Sequence, residues 1–592
     1  MVTEDVGLGS QQALMDELLG GTGAKIRESG LDPTLEENLC ALLERDHPNP
    51  DELVHRILLA ERGNHVVIGG PNPPLYRAEG KLRPFAIPGS EVDEELSDVR
   101  DGQEVFVFGI GLGEQVAYLL RTRPTAKITV WDRDPWLIRL ALGRQDYHRS
   151  LASGRLTVAL GADLIEHLPH LHERNVVFHP TFRGIYKDEK HLADDAISGS
   201  VPTEGRRWIG LGMGGVVVSY IADSLRREGY SIFPLEVQRW DPRETEIALR
   251  KLRPERVITV NYEEHVADAC DELSIPLVVW EVDPTTDRTP TPPETSKTES
   301  IRVFTLHQSH VEQLREAGFA NVEHLPLGVN IKKRYPIRSD GEVGHVSVAF
   351  VGSSLIARAA RFRRLFLQLH ASFDCCGMES FETTENRLES ILRADRADYT
   401  TYLTGDLIEE GFSDFLEAAR RSGTPDDPRK WVAEIVASQK RIAYISALAG
   451  AGVHVWGDDG WKSVEATHPG LTYRGVADPG KEVTQIYGSA DINVDVNRIY
   501  QPEVIPLRVF DVLACGGFMI AEYSNALAEQ FKIGDELVAY RTLDELEDMV
   551  RHYSKHPEEA ARIAAAGLKA VQTRHTMRER LKVLMDSGAA RS

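Results

Sequence analysis

Three times in this chain a short apolar run ends in a glycine-rich turn and passes into a helix-forming stretch. The three begin at Glu104 (EVFVFGIGLGEQVAYLLRTRP), Arg206 (RRWIGLGMGGVVVSYIADSLRREG) and His345 (HVSVAFVGSSL). An apolar run bounded by glycines reads as a strand buried on both faces, and a helix after it must cross back over the sheet. Such strand–helix–strand units pair in parallel with right-handed crossovers. The pattern therefore predicts an α/β chain with three sheets. At 592 residues the chain is also too long for one core.

Read in order, the chain begins with helical stretches, QQALMDELL and TLEENLCALLERD, the second opened by a capping aspartate in DPTLEEN. HVVIGG reads as a strand, and PNPPLYRAEGKLRPFAIPGS carries too many turn residues for helix. From Glu104, EVFVF, KITVW, RLTVAL and NVVFHPTF read as four strands, followed by a linker from Ser198 to Gly205. The second unit continues through RVITVNY, IPLVVWEVD and IRVFTL, with a Pro/Thr-rich loop from Asp283, and leaves by the crossover VNIKKRYPIR. The third holds a charged helical insert, then GVHVWG, LTYRGV, DINVDV and GFMIAEY, and ends in helices. The expected domains are 1–200, 205–335 and 336–592, the insert covering about 378–430.

Composition narrows the function. Hydrophobic and charged contents of 42% and 27% suit a globular protein. A net charge of −23 would be repelled by nucleic acid or an anionic membrane, so neither is an expected partner. Cys40, Cys270, Cys375, Cys376 and Cys515 have no metal-ligand spacing and read as reduced thiols. The acidic start lacks the apolar core of a signal peptide. The longest apolar run, Val216 to Ala222, falls far short of the ~20 residues that span a bilayer. A soluble, cytoplasmic protein is expected.

Four stretches carry chemistry. Gly109, Gly111 and Gly113 lie between a strand and a helix, with Asp132 at the end of the next strand. Such a loop lets backbone approach a nucleoside or phosphate, and the acid is placed to accept from ribose hydroxyls. The competing reading is close strand–helix packing with no ligand. Gly212 to Gly215 repeat the turn without the acid. Gly352, Ser353 and Ser354 precede a helix with Arg358, Arg361, Arg363 and Arg364. That turn with one arginine, Arg361 by choice, would neutralise a diphosphate, against the alternative of a solvated basic face. Glu503 and Asp511 bracket a short helix that starts after Pro506 and stops at Gly516 and Gly517. They either hold a polyhydroxylated ligand or merely cap and face solvent, and Asp511 could form a surface pair with Arg508, three residues before it. His307 and His310 read as capping or core residues, and no third ligand at metal spacing is visible, so no metal site is expected.

From about Arg206 onward the chain resembles glycosyltransferases of the GT-B fold, specifically the CgeB-type (spore-maturation-protein) branch of the retaining group 1 enzymes. The resemblance rests on SVAFVGSS, RIAYISALAGAGVHVWGDDGW, LTYRGVADPGKEVTQIYGSADINVDVNR, PLRVFDVLACGGFMIAEY, the stretch from GDELVAY to AARIAAAG, and RHTMRERL, with WEVDP in the first half. It implies two facing Rossmann-like domains preceded by an additional α/β domain. It further implies a metal-independent, retaining transfer with no required cofactor, from a nucleotide-sugar donor, a UDP-sugar. Glu503 would face the sugar and Asp511 the ribose, where family members carry the longer glutamate. Arg508 matches the family's arginine in that helix, Gly475 and Val476 the loop against which the base packs, and Asp283 is a fallback base. Ser353 and Ser354 would sit at the phosphates.

The first 200 residues resemble, in VFGIGLGEQVAYLL, TVWDRDP and FHPTFRGIY, the motility accessory factor (Maf) flagellin glycosyltransferases. That implies a protein acceptor such as flagellin, or a surface glycan. Two alternatives remain: an S-adenosylmethionine-dependent methyltransferase or bifunctional enzyme using the first glycine loop, and a non-catalytic scaffold. Self-association is left open.

Overall fold

The structure, a computed structural model, describes residues 31–586 except 45–48, 64, 69–73, 79–80, 200–204, 215–216, 283–289, 294–299, 338–343, 345, 374–379, 398 and 423–426. The helix expected in QQALMDELL, Gly215, Asp283, Cys375 and Cys376 lie outside the described residues. By the density of its internal contacts the chain divides into two compact units. One comprises residues 1–218, 225–277 and 293–300, the other 219–224, 278–292 and 301–592.

In the first unit the helix Pro33–Leu43 starts where its cap predicts, with Asp32 accepting from the Thr34 and Leu35 amides. The turn-rich stretch that follows forms antiparallel strands β1 (Val66–Val67), β2 (Leu75–Ala78) and β3 (Lys81–Pro84). Then come β4 (Glu104–Phe108), β5 (Lys127–Asp132), β6 (Leu156–Leu160) and β7 (Asn175–Phe178), all parallel in the order β6-β5-β4-β7. β8 (Trp208–Gly212), β9 (Ser231–Leu235) and β10 (Arg256–Val260) add parallel strands in the order β10-β8-β9.

Buried ion pairs cross the boundary expected near 200–205. Arg56, which also binds Asp163, reaches across to Glu244 at 2.6 Å, and Arg133, which also binds Glu189, reaches across to Glu236 at 2.7 Å. Removing one partner of such a pair strands a buried charge, which is why β8–β10 cohere with the residues before them. The expected middle domain is thus divided between the two units.

The second unit holds β11 (Leu277–Glu281, all but its first residue), β12 (Ile301–Thr305) and β13 (Asn321–His324), in the order β13-β12-β11. It also holds β14 (Val346–Val351), β15 (Val453–Trp456), β16 (Leu471–Tyr473), β17 (Ala490–Val494), β18 (Met519–Glu522) and β19 (Val538–Tyr540). These last six form one parallel sheet in the order β16-β15-β14-β17-β18-β19. The insert is helical as expected, over Phe381–Leu392, Thr404–Gly411 and Ser413–Arg421. Its Leu388, Phe412 and Phe415 share one core with Phe350 and Phe366. The last helix, Met577–Met585, packs beside residues 326–329, where Arg580 Nε donates to the Pro326 and Leu327 carbonyls at 2.7 and 3.1 Å.

The fold class is α/β with parallel sheets, as the three strand–turn–helix runs predict. No helix among the described residues is long and apolar enough to cross a membrane.

Candidate active site

In a parallel sheet the loops at the carboxyl ends of the strands gather on one edge, and ligands bind there. On the sheet β14–β19 that edge carries most of the residues singled out above. After β14, the Gly352 amide donates to the Trp456 carbonyl at 2.8 Å, tying the loop to the end of β15. Ser353 and Ser354 then lead into the helix Ile356–Phe373, their hydroxyls accepting from the Leu355 and Ile356 amides at 3.2 Å each. Asp458, beyond β15, accepts from the Ser354 amide and hydroxyl and from the Ser353 hydroxyl. Burial works to raise the Asp458 carboxyl, and these donors outweigh it, so its pKa lies below the usual value. The loop is preorganised, and its serine side chains are already engaged.

Arginines crowd the same edge. Arg508 Nε donates to the Val351 carbonyl at 2.8 Å, and its Nη1 pairs with the buried Asp495. Arg441, nearly sealed from solvent, donates to the Ser353 carbonyl at 2.8 Å and lies near Arg508 and Arg498. Burial first, and then those two like charges, lower its pKa to about 10. Arg498 and Arg358 approach the buried Glu434 at 3.6 and 3.7 Å, and Tyr500 donates to the same carboxylate at 2.8 Å. The Nε atoms of Arg441 and Arg498 and one oxygen each of Glu434 and Asp495 are buried without a hydrogen-bond partner. Unmatched donors on converging cations mark a place able to hold an anion. Arg361, the choice from sequence, is exposed on the helix, and it is Arg358 that reaches the group. Arg363 is taken by Glu385 and Glu389.

Pro506 precedes the helix Leu507–Ala514, and Gly516, at φ +76°, ends it. Asp511 is buried on this helix. One oxygen accepts from Arg334 Nε at 3.0 Å, and the other has no partner. Burial raises its carboxyl to about 6 against the pull of Arg334. Arg334 itself is pinned by Thr484 Oγ1 at 3.1 Å and the Gly480 carbonyl at 3.3 Å. Glu503 lies on the loop before the helix. It accepts from the Ala526 amide at 2.8 Å and from Asn525 Nδ2 at 3.0 Å, so it caps the helix Asn525–Gln530. Glu503 thus binds the start of a different helix from the one it precedes, and the surface pair expected between Arg508 and Asp511 does not form: Arg508 is taken by Asp495, and Asp511 is buried against Arg334.

Beside them Lys440, 1% exposed, binds Glu522, which also accepts from the Asn497 amide at 2.9 Å. Gly475, at φ +89°, closes onto the Gly457 amide at 2.9 Å and leaves Val476 77% exposed, an apolar platform at the end of β16. Sequence reasoning missed Arg334, Lys440, Arg441 and Asp458. Lys440 and Arg441 follow the insert on the long helix Pro428–Ala447, and nothing in the local pattern separates them from surface cations.

The first glycine loop is closely packed. A side chain on Gly109 would meet Phe182, one on Gly111 would meet His179, and one on Gly113 would meet Tyr147. Asp132, fully buried, accepts from the Ile110 and Asp134 amides at 2.8 and 3.0 Å and from the Tyr186 hydroxyl at 2.8 Å. Burial holds its carboxyl at about 7. The close-packing reading accounts for the three glycines, where a side chain would collide with protein, and the acid anchors the loop from within. At the second loop, a side chain on Gly212 would press on Thr259 and one on Gly214 on Gln238. Among the described residues, the group with metal-ligand geometry is Glu37, Asp146 and His148, on the surface of the first unit.

Residues 430–586 match a family model described as glycosyl transferase-like. No curated protein matches the chain. Among solved structures, the chain is similar to a glycosyltransferase from Rickettsia africae ESF-5, at 10% identity and a TM-score of 0.40 over 65% of this chain and 100% of that one. It is similar to sucrose-phosphate synthase from Thermosynechococcus elongatus at 12% identity and a TM-score of 0.37, over 64% and 97% of the two chains. It is also similar to Anabaena HepE, solved with UDP and glucose, at 11% identity and a TM-score of 0.36, over 64% and 100%. The matched segment holds Lys440, Arg441, Glu503, Arg508 and Asp511.

Proposed function

We propose that this chain is a retaining, metal-independent glycosyltransferase that moves a sugar from a nucleotide-sugar donor, a UDP-sugar, to a hydroxyl of a protein or glycan acceptor. The observation that carries the reading is the arginine group at the carboxyl edge of β14–β19, with buried, unpartnered guanidinium nitrogens inside the family-matched segment.

In this reading the donor's diphosphate lies against Arg441, Arg498 and Arg508 and the start of the helix after Ser354. Fixed cations in a water-poor setting stabilise the charge that grows on the diphosphate as its bond to the sugar breaks. The acceptor oxygen bonds to the anomeric carbon on the face the diphosphate leaves. The acceptor proton passes to a departing phosphate oxygen, so no dedicated base is needed; Asp283 is the fallback. Glu503 orients the sugar, and the unpartnered oxygen of Asp511 accepts from a ribose hydroxyl. The base packs on Gly475 and Val476. The finer resemblance to the CgeB-type branch, and of the first 200 residues to the Maf proteins, favours a protein acceptor such as flagellin.

The test is a panel of nucleotide sugars scored by protection against thermal unfolding, since a ligand of the native state raises its stability, followed by transfer with the donor that protects. Protection by UDP and a UDP-sugar, with transfer lost in Glu503→Gln, is expected. A protein indifferent to every nucleotide at millimolar concentration sinks the reading.

A further inference from the structure

Two Asp-Pro steps open helices in the first unit. Asp134 caps Pro135–Arg144 by accepting from the Trp136 amide at 2.9 Å, and Asp241 caps Pro242–Leu252 by accepting from the Arg243 amide at 2.9 Å. The first step follows β5 and the second follows β9, and both line one cavity of about 270 Å³. The end of the helix Pro50–Leu59 contributes Leu59, Ala60 and Glu61.

The walls are held in place. Arg56 and Glu244 line the cavity already joined, Nε to Oε1 at 2.6 Å. Proline fixes φ at both helix starts. Asp134 also binds His65 at 2.8 Å, and the Trp240 indole donates to the Arg133 carbonyl at 3.2 Å. A cavity with such walls is preorganised for a ligand. Its volume is just under the about 300–1,000 Å³ usual for ligand sites, room for one sugar ring and not for a nucleotide.

The lining chooses the ligand. With Arg56 and Glu244 cancelling each other, Arg239 and Arg243 remain against Glu61, Asp134 and Asp241. Two of those acids sit at helix N-termini, where the macrodipole offsets a negative charge. A lone anion would meet carboxylates, and a lone cation would meet guanidinium groups. A neutral ligand that both donates and accepts suffers neither repulsion. Guanidinium and carboxylate each bond through two atoms at once, which matches adjacent hydroxyls. Trp240, Pro135 and Pro242 add apolar surface for the C–H face of a ring. The Arg239 side chain is 34% exposed, and its contacts are long, 3.4 Å to the Tyr76 hydroxyl and 3.5 Å to Glu236. It can turn to a ligand without breaking a short bond.

We propose that this cavity binds one neutral pyranose ring, with Arg239 and Asp241 hydrogen-bonding adjacent hydroxyls and Trp240 against the ring. Its lining residues lie outside the segment 430–586, and the proposal does not depend on the glycosyltransferase reading.

The experiment uses the full chain and saturation-transfer NMR. The probes are glucose, galactose, mannose and N-acetylglucosamine, each also as its α- and β-methyl glycoside, with glucuronic acid and glucosamine as charged controls. One neutral sugar should receive saturation and keep it when UDP is added in excess. R239A should weaken its binding about tenfold, as for loss of a hydrogen bond from a charged group. A60W, which fills the cavity, should abolish the signal. R239A changes an exposed side chain and is read alone if A60W does not fold. A methyl glycoside that binds as well as the free sugar identifies the end of a glycan chain as the source, and preference for the free sugar identifies a monosaccharide. Either result supports the site. No saturation of any neutral sugar, tighter binding of a charged control, displacement by UDP, or unchanged affinity in R239A overturns the proposal.

Discussion

Arg334 Nε donates to Asp511 at 3.0 Å, and the second Asp511 oxygen, equally buried, is left unmatched. The two residues are 177 positions apart, on the crossover before β14 and on the helix after Pro506. Removing the arginine leaves a buried carboxylate alone. Arg334→Met should therefore destabilise the second unit by about 3–5 kcal/mol, read by denaturant unfolding. Arg334→Met with Asp511→Asn should recover most of that loss. Equal stability of the single variant and the wild type would show the pair to be idle.

Glu503 has two duties that substitution can separate. Beside Ser524, which caps Asn525–Gln530, it accepts from the Ala526 amide, a bond worth about 1 kcal/mol, so Glu503→Ala should lower Tm slightly, and Glu503→Gln, which keeps an acceptor for that amide, should lower it less. Both should reduce transfer by roughly a hundredfold or more, as for loss of a preorganised polar group at a reacting centre. Transfer that tracks Tm across the two variants would mean that capping is the residue's whole role.

Arg498 is partly exposed, 3.6 Å from Glu434, with an unmatched Nε. Its removal costs the fold little, because the buried Glu434 keeps the Tyr500 hydroxyl at 2.8 Å and Arg358 at 3.7 Å. A charge-assisted hydrogen bond to a phosphate is worth about 1.5–3 kcal/mol. Arg498→Ala should then weaken UDP about tenfold or more by calorimetry with Tm nearly unchanged. Unchanged UDP affinity would move the diphosphate away from this group.

Glu189 gives a pH signature in the first unit. Burial raises its carboxyl to about 7, with Arg133 opposing and Glu236 adding to the rise. The folded value lies above the ordinary carboxylate value, so the native state holds this proton more tightly than the unfolded chain does. Its contribution to stability is full below about 4.5 and is lost as pH rises through about 7. Glu189→Gln does not titrate. Between pH 5 and pH 8 its stability should gain on the wild type by more than about 1.4 kcal/mol, other groups cancelling in the comparison. A pH-independent difference between the two would place the Glu189 proton elsewhere.

The packing around Gly109, Gly111 and Gly113 predicts that S-adenosylmethionine leaves the melting temperature unchanged. Gly113→Ala, at φ +88° and against Tyr147, should be destabilising by more than 1 kcal/mol, as for a side chain forced into a left-handed backbone. Protection by S-adenosylmethionine at millimolar concentration would reopen the methyltransferase alternative.

Much of the fold was legible because it is written locally. EVFVF, KITVW and VSVAFV are apolar runs closed by glycine or acid, and each is a parallel strand. DPTLEEN starts a helix at its proline because Asp32 can reach the next two amides. HVVIGG, read as a strand, yields Val66–Val67 among its described residues, since an isolated short run gains little from an antiparallel edge. Local signals do not reveal which distant cation meets which acid. Arg361 and Arg358 are equivalent on paper, and only the long helix Pro428–Ala447, bringing Glu434 beside one of them, separates the two.

The sequence by itself determined the class of fold, the three strand–turn–helix units, and the helix that bears Arg508 and Asp511. Those depend on periodicity, caps and turns within a dozen residues. Tertiary structure alone decided that Arg334 faces Asp511, that Arg441 reaches the Ser353 carbonyl, and that His179, Phe182 and Tyr147 fill the first glycine loop. Each of those joins side chains far apart in the chain. Their meeting is set by how helices and strands pack, and burial and charge at that meeting fix what each residue can do.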